Sequence, residues 1–375
     1  MHDRARHWLQ QITALPLAAP VRIMNVCGGH ERAIALAGLR SLLPPAVQLI
    51  PGPGCPVCIC PEEDIRQAID WALHHEVIIA SFGDMLRVPV NLPRGEVNSL
   101  TVAKAAGADV RAIAAPTEAI RIASENPART VVLHAVGFET TMAPIAALIG
   151  QGLPANLLIL ASGRRTWPAV AMLLDSPDAG LDALIAPGHV ATVMGPEEWA
   201  FVPQHHRLPA AIAGFTADSL LAAIHSVLVQ SLEGKPALTN GYAAAVKPGG
   251  NARARQLLAQ AFDVVDAPWR GIGTIAQSGY ALKPELAAHD ARRRLPPVTP
   301  RLRGPGNDLP PGCDCARVVL GKISPPACRL YGTACRPASP IGPCMVSDEG
   351  ACRIWWSAGL HQRPPARATS AGIPS

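Results

Sequence analysis

The sequence predicts an α/β protein, with two small parallel-sheet domains flanking a cleft and an irregular cysteine-rich module behind them. Two patterns carry that prediction: short unbroken apolar runs alternate with helical spacing through most of the chain, and six of the ten cysteines crowd into its last part. Strands are expected at 21–26, 47–50, 77–82, 110–114, 130–136, 157–161, 181–186 and 209–213. Continuous apolar runs, without polar alternation, belong to parallel strands covered on both faces. Segments between them, such as 33–43 and 62–74, carry helical spacing, so the repeating unit is βαβ. The polar, proline-bearing stretch 116–129 reads as a crossing between domains, which places one α/β domain at 1–118, a second at 119–300 and the cysteine-rich module at 301–375. A proline-rich run at 294–311 reads as a semi-rigid linker, and residues beyond about 362 have the composition of disorder.

Composition narrows the class. With 375 residues, 49% hydrophobic and 16% charged, the chain can bury a sizeable core. Its apolar runs fall short of the roughly 18–20 residues of a membrane span, and 220–232 is broken by His225 and Ser226. Pro16 and Pro20 interrupt the mildly apolar start, which argues against a cleaved signal peptide. The reading therefore places the chain in the cytoplasm, where ten cysteines mean metal binding or thiol redox before a disulfide framework. The net charge of +5 is modest, and Arg292, Arg293, Arg294, Arg301 and Arg303 are interleaved with prolines and not with aromatics. Stacking platforms for nucleic acid are missing.

In open α/β sheets, ligands bind beyond the carboxyl ends of the strands, and the polar residues of this chain gather at such positions. Cys27 and His30 follow the first strand, Cys55 and Cys58 the second, Asp84 the third, Glu139 the fifth and His189 the seventh. Read alone, Cys27 is a small buried side chain and Gly28-Gly29 a turn. At a strand end the glycines also permit close backbone approach, and a thiol and an imidazole three residues apart suit iron or zinc. Amides at a helix start would then favour anionic ligands on that metal.

Cys55-Pro56-Val57-Cys58 has the spacing of a redox dithiol, and equally of half a zinc site. Cys27, Cys55 and Cys58 are thus the candidate metal-binding thiols of this half. Pro61 fits a helix start and Glu62, Glu63 and Asp64 its first turn, which puts Cys58 and Cys60 near a positive helix end and predicts lowered thiol pKa values, opposed in part by those carboxylates. In the tail, Cys313, Cys315, Cys328, Cys335, Cys344 and Cys352 lie in Gly- and Pro-rich sequence able to wrap a cluster with four thiolates. Zinc ribbons use C-x-x-C pairs, which this region lacks, so an iron–sulfur cluster is expected over zinc.

Together these segments resemble the HypD family of hydrogenase maturation proteins, which help build the iron centre of nickel–iron hydrogenases. The resemblance runs through Met24-Asn25-Val26-Cys27-Gly28-Gly29-His30, Gly52-Pro53-Gly54-Cys55-Pro56-Val57-Cys58, Phe82-Gly83-Asp84-Met85-Leu86-Arg87-Val88-Pro89, Gly137-Phe138-Glu139-Thr140-Thr141, Gly188-His189-Val190 and Cys344-Met345-Val346-Ser347-Asp348-Glu349-Gly350-Ala351-Cys352. It implies two α/β domains and a third holding a 4Fe-4S cluster on Cys315, Cys328, Cys335 and Cys352, with Cys313 and Cys344 spare. It implies further that Cys27 binds the iron under assembly, which carries two cyanides and one carbon monoxide, and that Cys55 and Cys58 are a redox pair. The implied partners are a HypC-type small chaperone, a HypE-type cyanide donor and, indirectly, the hydrogenase large subunit. His30, Asp84, Glu139 and His189 are then expected to orient ligands or move protons, against the plainer alternative of caps and loop hydrogen bonds. Arg32 stands where the family commonly has a second histidine, Cys60 where it usually has no cysteine, and Ala316-Arg317 where Gly-Glu is usual. A stand-alone iron–sulfur thiol–disulfide reductase and a zinc-stabilised scaffold are the other function classes this sequence allows.

Overall fold

The structure, a computed structural model, describes residues 3–93, 95–298 and 306–360. Part of the expected linker and the tail beyond 362 lie outside them. Eight strands form where the apolar runs fall: β1 Val21–Asn25, β2 Val47–Pro51, β3 Ile78–Phe82, β4 Val110–Ile113, β5 Val131–Gly137, β6 Leu157–Gly163, β7 Ala183–Pro187 and β8 Ala210–Ala213. Residues of β5, β6 and β7 are buried throughout, as doubly covered parallel strands require. A short β9, Leu238–Asn240, extends the first sheet to the order β2-β1-β7-β8-β9, and the second runs β4-β3-β5-β6. All pairings within both sheets are parallel.

The strands do not part at residue 118. Ile23 of β1 lies opposite Ala183 of β7, so the chain leaves the first sheet after β2, builds the whole second sheet from β3 to β6, and returns. The stretch expected to cross between domains instead holds the helix Thr117–Glu125, which carries the chain from β4 past β3 to β5 inside one sheet. Which strands become neighbours depends on long-range pairing that local composition does not encode.

An antiparallel hairpin, β10 Phe262–Trp269 and β11 Gly273–Leu282, is absent from the sequence reading. Asp263, Asp266 and Pro268 interrupt β10, and the register shifts between Val265 and Ala267, so no period-2 pattern announces it. Its turn matters for the site. Arg270 N donates to Ile59 O at 3.0 Å and Arg270 Nη2 to Pro89 O at 2.7 Å, with the residue 1% exposed. The hairpin thereby buttresses the short helix Pro56–Ile59 that follows Cys55.

The C-terminal module has little regular structure: a helix at Cys315–Val319, single turns at Pro325–Ala327 and Pro343–Met345, and a closing helix Ala351–Ser357. It does not hang free. Cys55, Cys58, Cys315, Cys328, Cys335, Cys344 and Cys352 belong to one buried core with Phe138, Trp269 and Met345. Among the described residues, no helix is long and apolar enough to cross a membrane.

Candidate functional site

Three turns meet at the carboxyl edge of the first sheet. Cys27 precedes the helix Gly28–Leu36 in extended backbone, and its sulfur accepts from the amides of His30 and Gly29. Gly28 N donates to Gly54 O at 3.0 Å, and Gly52 N to Asn25 O at 2.8 Å, so the loop after β2 is laced to the loop after β1. Glycine is required for this approach: a Cβ on Gly54 would lie 2.5 Å from Cys27 N, and one on Gly28 2.5 Å from Glu349 Cβ.

 Glu349 belongs to the C-terminal module, which therefore closes directly over the Cys27 turn.

Burial dominates the electrostatics here. It pushes the Cys27 thiol up to about 12 despite the two amides that favour the thiolate, and the charge of Glu349 adds to the rise. His30, fully buried, donates from Nε2 to Ala213 O at 3.0 Å, which leaves Nδ1 as a buried acceptor without a partner among the described residues. Loss of solvation brings its pKa down to about 4, so the imidazole is neutral. Phe215, just after β8, lies between two histidines: its ring centroid is 4.8 Å from that of His30 and 3.8 Å from that of His189, which stacks on it. Cys27, His30 and His189 thus converge as the sequence suggests, with Phe215 as an aromatic wall.

Cys55 and Cys58 are joined in a disulfide with Cα atoms 5.3 Å apart. Both are buried, and Cys58 N donates to Cys55 Sγ at 3.2 Å as the helix Pro56–Ile59 begins. The lowered thiol pKa expected for Cys60 is overturned. Cys60 is fully buried and its pKa is raised, first by lost solvation and then by the Asp64 carboxylate in the first turn of the helix Glu62–His74. The nearby Arg164, Arg270 and Arg292 oppose that rise without cancelling it.

Asp84 has a tethering part. Its Oδ2 accepts from Ser347 Oγ at 2.8 Å and from Asp348 N at 3.2 Å, fixing the turn after β3 to the module. Glu349 follows directly; its carboxyl is pushed up to about 7 by lost solvation, with repulsion from Asp84 second. Glu139 joins a different group. Its oxygens accept from Thr166 N and Thr166 Oγ1, each at 2.7 Å, and burial raises its pKa. Its charge and lost solvation together push Glu198 up to about 7, lost solvation being the larger cause.

The six C-terminal thiols form one neighbourhood. Cys344 Sγ accepts from Cys352 N at 3.2 Å and lies among the thiols of Cys315 and Cys352, whose hydrogen bonds hold it below the ordinary thiol range and raise Cys352. A Cβ on Gly342 would strike Cys315 Sγ and lie 2.5 Å from Cys313 Sγ, and Cys335 Sγ accepts from Ile341 N at 3.4 Å. Among the described residues, no three His, Cys, Asp or Glu side chains are already disposed as ligands of one metal ion. The donor set itself, several buried thiols on irregular backbone, suits an iron–sulfur cluster better than a hard cation.

Sequence reasoning overlooked Phe215 and Glu349. Glu349 lies in the stretch Cys344–Cys352, but nothing local marks a residue that closes over a distant turn; Phe215 follows β8, at the same kind of strand end as the other site residues, but an apolar side chain there carries no chemical signal.

The fold and these turns define a thiol-rich α/β protein with an appended cysteine module. A family model, HypD, described as the hydrogenase formation hypA family, matches residues 3–359. The chain is 39% identical over 341 residues to the hydrogenase maturation factor HypD of Escherichia coli K12, covering 90% of this chain and 89% of that protein. It is 38% identical over 369 residues to HypD of Rhizobium leguminosarum bv. viciae, covering 95% and 93%, and 40% identical over 356 residues to the hydrogenase expression/formation protein HupD of Azotobacter chroococcum, covering 92% and 91%. The chain belongs to the HypD family.

Proposed function

We propose that this chain is a cytoplasmic hydrogenase maturation factor on which an iron carrying two cyanides and one carbon monoxide is assembled. The observation that carries this reading is the meeting of a free thiol, a C-x-x-C disulfide and a cysteine module at one sheet edge, with Cys27 packed between the loop of the disulfide and Glu349 of the module. Cys27 is the thiolate for the iron, and a HypC-type chaperone supplies a second. A thiol held near 12 gives up its proton when a cation takes its place, so iron binding at Cys27 releases a proton. His30 Nδ1, a neutral acceptor with no partner among the described residues, is suited to hold a proton or hydrogen-bond a ligand, and His189 with Phe215 walls the space where ligands would sit. Amides at the start of the helix Gly28–Leu36 favour the anionic cyanide adduct, delivered by a HypE-type donor.

Cys55 and Cys58 cycle between this disulfide and the dithiol, taking up two electrons and two protons on reduction. Cys315, Cys328, Cys335 and Cys352 would hold a 4Fe-4S cluster, which supplies electrons one at a time. The hydrogenase large subunit receives the finished iron.

Infrared spectroscopy on protein purified anaerobically with its partners tests this reading. Bands of iron-bound cyanide and carbon monoxide are expected in wild type and lost in Cys27→Ala; their absence from wild type with partners and iron supplied would overturn it. The formed disulfide also fits a stand-alone thiol–disulfide reductase, for which Cys55→Ser abolishes disulfide reduction while Cys27→Ala retains it.

A further inference from the structure

One buried carboxylate joins the helix that begins at Cys27 to the helix that carries Cys352. Glu31, 2% exposed, accepts through Oε1 from Trp355 Nε1 at 2.6 Å. Its Oε2 accepts from Asn25 Nδ2 at 2.9 Å and Arg40 Nη2 at 2.8 Å. Arg40 also lies over the Trp355 ring, 4.7 Å from its centroid, so the guanidinium is shared between carboxylate and indole. Asn25 ends β1 and donates as well to Ile50 O of β2 at 3.2 Å. The backbone completes the link, because Glu31 N donates to Cys27 O at 3.0 Å. A single side chain therefore touches β1, Arg40 and the module while its own amide holds the Cys27 carbonyl.

We infer that Glu31 is a positioning residue that sets the Cys27 turn against the cysteine-rich module through Trp355. Trp355 stands one turn beyond Cys352 on the helix Ala351–Ser357, so the indole hydrogen bond fixes that helix relative to the Cys27 helix. Three donors converge on the carboxylate, and losing it would leave Trp355 Nε1 and Arg40 Nη2 without this acceptor, a cost that keeps the two helices together. Asp84 and Gly28 make the neighbouring contacts to 347–349, but neither reaches Trp355. The inference deepens the proposed metal site, yet its test reads the Cys27 thiol and needs no assembled iron, so either idea can fail alone.

The test is the rate at which N-ethylmaleimide labels Cys27 in the full-length chain, followed by mass spectrometry of its peptide and divided by the rate for buried Cys60. Trp355→Phe keeps an aromatic ring beside Arg40 but removes the indole donor, and is expected to raise this ratio about fivefold through local loosening. Glu31→Ala is expected to match it, and the double variant to add nothing further, because both remove one coupled contact. An unchanged ratio in Trp355→Phe, or effects that multiply in the double variant, would overturn the inference. Should Glu31→Ala fail to fold, the ratio in Trp355→Phe still decides.

Discussion

The cysteines occupy two settings that differ in what holds the sulfur. Cys27 and the Cys55–Cys58 pair sit on turns at the ends of β1 and β2, where strand pairing and glycine contacts fix the backbone on both sides. The six at 313–352 sit on single turns and short helices, close to one another within a core shared with Phe138 and Trp269. The first setting is built by strand pairing and glycine contacts. The second buries thiols on single turns and short helices, where the proposed cluster would contribute to folding.

That contrast can be broken or sharpened in order of size. If the module holds the proposed cluster, iron chelation with oxidation is expected to raise amide exchange across 313–352 by about tenfold or more while β1–β8 stay protected. Equal loosening of both would erase the distinction. Gly54→Ala attacks the first setting, since its Cβ would press on the Cys27 backbone; a loss of about 1–3 kcal/mol by denaturant unfolding is expected. Gly83→Ala is the control, with open space around its Cβ and an effect within about 0.5 kcal/mol.

A pH effect separates the sheets from the module. His134 of β5 is fully buried, and lost solvation lowers its pKa from 6.5 to about 4. The unfolded chain therefore binds a proton that the folded chain refuses between these values. Stability from this group is present above pH 6.5 and falls as pH drops toward 4, at about 1.4 kcal/mol per pH unit. His134→Leu should remove that slope in unfolding measured from pH 7 to 4; an unchanged slope would show that His134 is not its source. Glu349 has the opposite sign, since its carboxyl is raised from 4.5 to about 7 and its neutral form is favoured in the folded state. Closure of the module over Cys27 should weaken as pH rises from 4.5 to 7, seen as faster Cys27 labelling, and Glu349→Gln should flatten that trend.

Legibility followed the same division. Eight strands were readable because doubly covered parallel strands are unbroken apolar runs, and the site turns because polar residues follow such runs directly. The hairpin β10–β11 was hidden by Asp263, Asp266 and a bulge, and the domain division by the return of the chain to pair β7 with β1. Cys60 was read from its place by a helix start, but full burial outweighs a helix end. Glu139 was grouped with Cys27 because both follow strands, yet they follow strands of different sheets, and Thr166 takes its carboxylate. What remained hidden was always a long-range partner.

The most direct measurement is iron and acid-labile sulfide in chain purified anaerobically, with Cys27→Ala set beside Cys335→Ser. Separate settings predict about four irons and four sulfides retained in Cys27→Ala and lost in Cys335→Ser. Loss of both in Cys27→Ala, or full retention in Cys335→Ser, would contradict the division of the cysteines into a sheet-built iron turn and a guest-dependent module.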